Sequence, residues 1–118
     1  NRQREIDDLS KIDIGLYPLP LNNDWVVGKS GLKALQYMAM SIPAVCTDVG
    51  NIRNIIENEI DGFLVKSNKD WFNVLIKLID NKSLRKNIGR MGRKKVVKDF
   101  SVNAINNKYL TVFENLIK

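Results

Sequence analysis

Along this chain the apolar positions alternate between helical and extended spacing, and each change of period marks an element. Leu35, Met38, Ala39 and Ile42 fall at i, i+3, i+4 and i+7, the spacing of one buried helical stripe. They predict a helix over residues 32–41. Ile12 to Pro18 before it and residues 43–48 after it are short apolar runs bounded by turn residues, which read as strands. Strand, loop, helix and strand make one βαβ unit, whose crossover should be right-handed and whose strands should be parallel. A short helix through Ile52, Ile55 and Ile56, a turn at Asp61-Gly62 and a third strand, Phe63-Leu64-Val65, make a second unit.

Beyond the third strand the pattern is helical to the end. Asn68 to Asp70 offers an N-cap for a helix reaching about Asp80, with Trp71, Leu75, Leu78 and Ile79 inward. Ser83 can cap the next helix, which carries Leu84, Ile88 and Met91 on one stripe and Lys86, Arg90, Arg93 and Lys94 on another. Ser101 opens a last helix with Ile105, Tyr109, Val112, Phe113 and Leu116 as its apolar face. The expected class is α/β: a partial doubly wound, Rossmann-like parallel sheet of about three strands followed by C-terminal helices. Ligands of such sheets bind beyond the carboxyl ends of the strands, so the 18–33 loop and the 47–51 loop should meet in one crevice.

Length and composition narrow the function. The 118 residues suffice for one core, and residues 1–118 are read as a single, partial domain. Residues 1–10 are polar and resemble the end of a helix, and three strands leave an unprotected edge. The expectation is that further strands of the domain lie upstream or on another chain, and that the fragment alone self-associates or is poorly stable. No apolar run approaches the roughly 18–20 residues that span a bilayer, which predicts a soluble chain. There is no histidine, which removes the commonest general base and metal ligand. The lone cysteine, Cys46, sits in an apolar run and reads as a buried thiol in a reducing compartment.

The net charge of +6 is unevenly placed. Residues 1–80 carry nine Lys/Arg against eleven Asp/Glu, whereas residues 81–118 carry ten against two. The basic character belongs to the tail helices. One reading is therefore a basic α/β module that binds an anionic membrane or another polyanion without catalysis, through Lys86, Arg90, Arg93, Lys94, Lys95 and Lys98. Nucleic acid is not the expected partner, since Trp25 and Trp71 are not interleaved with these cations as a stacking platform requires.

Candidate chemistry concentrates at residues 28–36. Gly28 and Gly31 bracket Lys29 and Ser30, the helix begins at Leu32, and Lys33 and Gln36 occupy its first turns. A helix N-terminus with glycines and lysines suits an anion, because unsatisfied N–H donors and the positive end of the macrodipole converge there. A phosphate or diphosphate is the natural ligand, and a plain loop-to-helix junction with solvated lysines is the alternative. Gly28-Lys29-Ser30 also supplies the last three positions of a P-loop. The first glycine of that motif would fall at Asn23, and the P-loop is rejected.

The order of motifs is more specific than any one of them. DIGLYPL is followed by W-x-x-G-K-S-x-x-K-x-x-Q-Y-M-A, P-A-V-x-x-D-V-G, N-x-I-D-G-F-L-V and L-R-x-x-x-G-x-x-G-R, and then a basic stretch ends in Phe100-Ser101. This series resembles the C-terminal half of a group 1 (family-4) glycosyltransferase of the GT-B fold. Many relatives carry two glutamates eight positions apart here, where this chain has Gly28 and Gln36. The departure resembles a branch reading G-K-x-x-x-K-x-x-Q-Y-M-A.

The resemblance implies a two-domain, retaining enzyme that binds a nucleotide-diphosphate-sugar on this half and transfers the sugar to an acceptor held by an upstream half. It implies no cofactor and no metal, since protein cations and helix dipoles neutralise the departing diphosphate. It places Gly31 and Leu32 in the loop that approaches the distal phosphate and sugar, Lys29 and Lys33 at basic positions, and Gln36 near the ribose hydroxyls. The donor set is then Gly28, Lys29, Ser30, Gly31, Leu32, Lys33 and Gln36, with Lys33 catalytic. The isolated fragment is expected to be inactive. A cytoplasmic location is expected, peripheral at the inner membrane face if the basic helices bind lipid.

Overall fold

A computed structural model of the chain describes residues 12–19 and 31–99. Gly15–Tyr17 form β1, Leu32–Ala39 α1, Ala44–Thr47 β2, Ile52–Ile55 α2, Phe63–Val65 β3, Asn68–Ile79 α3 and Lys82–Asp99 α4. The strands lie in the order β1-β2-β3, all parallel, with Leu16 opposite Val45 and Cys46 opposite Leu64. Both βαβ units are therefore present. The expected helix over residues 101–118 and the polar opening lie outside the described residues.

Why β2 reads as an unbroken apolar run is clear from its place between two layers. All four of its residues are buried, as expected of a central parallel strand covered on both faces. Ala44 and Cys46 pack with Leu35, Tyr37, Met38, Ile52 and Ile55 of α1 and α2, while Val45 packs with Phe63, Val65, Leu78 and Ile88. The long α4 serves both layers, giving Ile88 to one cluster and Val96 to the other. Cys46 is fully enclosed and burial pushes its thiol up to about 12, so it is a packing residue with almost no thiolate at neutral pH.

Two glycines mark the closest approaches. A β-carbon on Gly15 would overlap the Tyr37 ring, and one on Gly89 would overlap the backbone carbonyl of Ser41. Ser41 follows α1 with φ 60°, so α4 crosses the carboxyl end of α1 with no room for a side chain at position 89. Arg93, one turn further on, donates to the Ala39 carbonyl. A cation at a helix C-terminus satisfies an orphan carbonyl and complements the macrodipole.

Four expectations are corrected. Ser67 caps α3, not Asn68 to Asp70: its hydroxyl accepts from the Asp70 N–H at 3.0 Å. The Asp70 carboxylate accepts from the Ser67 N–H at 3.2 Å, which closes a capping box. Asn81, not Ser83, caps α4, accepting from the Leu84 N–H at 2.9 Å. Ile79 is 59% exposed, since α3 turns Trp71, Val74 and Leu78 to the cluster under the sheet and leaves position 79 on its flank. Arg93 does not stand with Lys86, Arg90 and Lys94 as part of a basic patch, because α4 packs that side against α1.

The capping box predicts a pH effect. Hydrogen bonds from the Ser67 and Lys66 amides hold the Asp70 carboxyl below its ordinary value. The unfolded chain then binds the proton more readily than the native one, so this stabilisation is present above the unfolded carboxylate pKa, ~4, and is lost as pH falls through the depressed native value. An Asp70→Asn chain should show a shallower loss of stability below about pH 4 in urea melts taken across the acid range. An unchanged acid limb would rule the box out as its source.

Candidate functional site

The two loops predicted to meet leave β1 and β2 side by side, and residues 20–30 of the first lie outside the described residues. The Leu19 N–H donates to Oγ1 of Thr47 at 2.7 Å, which ties the segment leaving β1 to the carboxyl end of β2. Thr47 is only 3% exposed, so its side chain is a packed tie between the two strand ends. Val49 and Gly50 turn the chain into α2, with Gly50 at φ 59°.

Here α1 begins. Gly31 is its N-cap residue, in the left-handed region at φ 76°, and has no side chain with which to cap the helix. Its position is fixed from below, since a β-carbon on Gly31 would strike Cδ1 of Ile55. Glycine therefore answers two demands at once: a positive φ, and close packing of α1 on α2. The first amides of a helix have no partner within it and turn to groups outside it. Nothing acidic lies in the first turn, and Lys33 there is exposed while Leu32 and Gln36 are half-buried.

Of the candidate residues, the structure brings Gly31, Leu32, Lys33 and Gln36 to one end of α1. Gly28, Lys29 and Ser30 lie outside the described residues. Lys33 and Gln36 are three positions apart and so share a side of the helix.

Sequence reasoning passed over two features. The Lys33 ammonium lies over the Tyr37 ring, 5.3 Å from its centroid. Tyr37 is itself buried, and its hydroxyl donates to the Leu16 carbonyl at 3.1 Å. Position 37 falls beside the stripe of Leu35, Met38, Ala39 and Ile42, so the spacing gave it no role. At the carboxyl end of β2, Asp48 pairs with Arg53 at 2.6 Å and Lys66 at 3.8 Å. Those partners come from α2 and from just after β3, which no local pattern indicates. Balanced by two cations, Asp48 does not repel an anion brought to this edge.

The basic helix is less free than its composition suggests. Lys95 pairs at 3.3 Å with Asp61, a buried carboxylate that also accepts from the Glu57 N–H at 2.8 Å. Lys94, Lys95 and Lys98 line one groove with Glu57, Asp61 and Asp99, so the cations there face an equal number of carboxylates. Among the described residues, no cluster of three acidic or thiol groups is arranged to hold a metal, and no helix is long and apolar enough to cross a membrane.

Residues 4–95 match the family model described as glycosyl transferases group 1. A curated relative, N-acetyl-alpha-D-glucosaminyl L-malate synthase of Bacillus anthracis, is 28% identical over 90 residues. The alignment covers 75% of this chain and 24% of the relative, so the chain spans about a quarter of that protein's length. Among solved structures, the C-terminal domain of the glycosyl transferase group 1 family protein LpcC from Francisella tularensis aligns with TM-score 0.55 at 29% identity. That alignment covers 59% of this chain and 37% of the other. The parallel sheet and its helices agree with the C-terminal Rossmann-like domain of the GT-B fold.

Proposed function

The chain belongs to the group 1 glycosyl transferases, and we propose that it is the part of such an enzyme that binds the activated sugar, a nucleotide-diphosphate-sugar. The observation that carries this reading is the N-terminus of α1: a left-handed glycine as its N-cap, no acidic residue in its first turn, and Lys33 beside it, at the strand ends where ligands of such sheets bind. These features suit a diphosphate, which takes hydrogen bonds from backbone amides and charge from a lysine.

In the proposed reaction an acceptor hydroxyl, held outside this chain, forms the new bond to the anomeric carbon. The bond from that carbon to the β-phosphate oxygen breaks, the electron pair stays with the departing nucleoside diphosphate, and the hydroxyl proton passes to an oxygen of that diphosphate. Negative charge therefore grows at the end of α1 as the bond lengthens. The helix dipole and Lys33 meet that charge without rearranging, so they stabilise the transition state more than the ground state. Gln36, one turn deeper, is assigned to the ribose hydroxyls, a contact made equally before and during bond breaking.

This division of labour is separable by kinetics on the full-length protein. Gln36→Ala should weaken donor affinity by roughly two- to tenfold, the value of one hydrogen bond, while turnover changes little. Calorimetric titration with a panel of nucleotide-diphosphate-sugars tests the reading itself. Saturable binding of one donor, in competition with its nucleoside diphosphate, supports it. If no member of the panel binds, the site is a plain loop-to-helix junction.

A further inference from the structure

We infer that Tyr37 is a positioning residue for the donor-site lysine: its buried ring, fixed to β1, holds the Lys33 ammonium at the N-terminal end of α1. The inference rests on the proposed role of Lys33 toward the donor diphosphate.

Lysine is a compact charge on a flexible four-carbon stem. An exposed lysine in the first turn of a helix therefore samples many positions, of which few face a ligand at the helix end. Lys33 is exposed but not unattended. Residues four apart stand one above the other on a helix, and the ammonium lies 5.3 Å from the Tyr37 centroid, within the distance at which the negative face of an aromatic ring attracts a cation.

What makes this more than a surface pairing is the rigidity of the platform. Tyr37 is 6% exposed. Another part of its ring lies against Gly15, where a β-carbon would overlap the ring atoms, so β1 has no side chain at the one place the ring needs. Its hydroxyl donates to the Leu16 carbonyl at 3.1 Å. Burial, with a smaller contribution from Cys46, raises the pKa of that hydroxyl, so it remains a donor across the physiological range. The ring is held at its hydroxyl by the backbone of one strand and along its body by the glycine of the same strand. A side chain needed only to fill the core would require neither the hydroxyl bond nor the cation.

The test uses the full-length transferase with phenylalanine at position 37, then with its mono-, di- and trifluorinated forms, which drain the ring face of negative charge at nearly constant size. Turnover should fall in steps, by about two- to fivefold over the series, with donor KM nearly constant. The same series in a Lys33→Met background should be flat. In selectively labelled lysine spectra, the Lys33 side-chain signals should be shifted upfield by the ring and should move toward ordinary lysine positions in Tyr37→Leu. A flat series with lysine present, or equal steps with lysine absent, would overturn the inference, as would ordinary Lys33 signals in the unaltered protein. Near-normal turnover in Lys33→Met alone, with the upfield signals intact, would instead remove the proposed role of Lys33.

Discussion

Lys33→Ala in the full-length protein is expected to lower turnover by roughly a hundred- to a thousandfold while the melting temperature stays nearly unchanged. The magnitude follows from what loss of one preorganised donor at a developing negative charge does, ~3–4 kcal/mol of barrier. The thermal result follows from exposure: Lys33 is on the surface and its one described contact is with a ring already fixed by other bonds, so its loss touches little of the core. The two readouts must separate. A variant that loses turnover and melting temperature together would indicate that the first turn of α1 has frayed. A variant that keeps near-normal turnover would show that the diphosphate is held by groups outside this segment.

The second large effect lies at the other end of the same helix. Gly89→Ala is expected to destabilise the protein by about 1–3 kcal/mol, the usual range for forcing atoms into a filled interior. Helix propensity argues for the opposite sign, since alanine in a helix interior is favoured over glycine by roughly 1 kcal/mol. Sterics decide, because the atom that the new methyl meets is the carbonyl oxygen of Ser41, a backbone atom without a rotamer to yield. Urea denaturation should give a lower midpoint at unchanged slope. A midpoint that rises would mean that α4 can stand off from α1.

How much of this could be read in advance depends on the range of the interaction concerned. β3 was placed at Phe63–Val65, as observed, because a turn at Asp61-Gly62 and a short apolar run bound it on both sides. The predicted strand from Ile12 to Pro18 is shorter in fact: pairing starts at Gly15, opposite Ala44, and the length of a parallel ladder depends on its partner. Both helix caps were misplaced by one to three positions because Ser67-Asn68-Lys69-Asp70 and Asn81-Lys82-Ser83 each contain more than one residue able to cap. Ile79 was assigned inward because it fits the period of α3, yet a period gives a face and not what covers it. Within the proposed site, the place of Gly31 and Lys33 at the start of α1 was legible from glycine, charge and helix start. Tyr37 was not, since its role depends on the glycine of β1, far away in the chain.

The bond from Arg93 to the Ala39 carbonyl joins residues 54 positions apart, and that span has a meaning for a chain made one residue at a time. At a synthesis rate of roughly 5–20 residues per second, about 3–10 seconds separate the appearance of α1 from that of the arginine at its end. Through that interval the helix that begins at Gly31 lacks its last anchor, and Gly89, too, has yet to reach Ser41. The ribosome therefore delivers the parts of the proposed sugar site before it delivers the segment that fixes them.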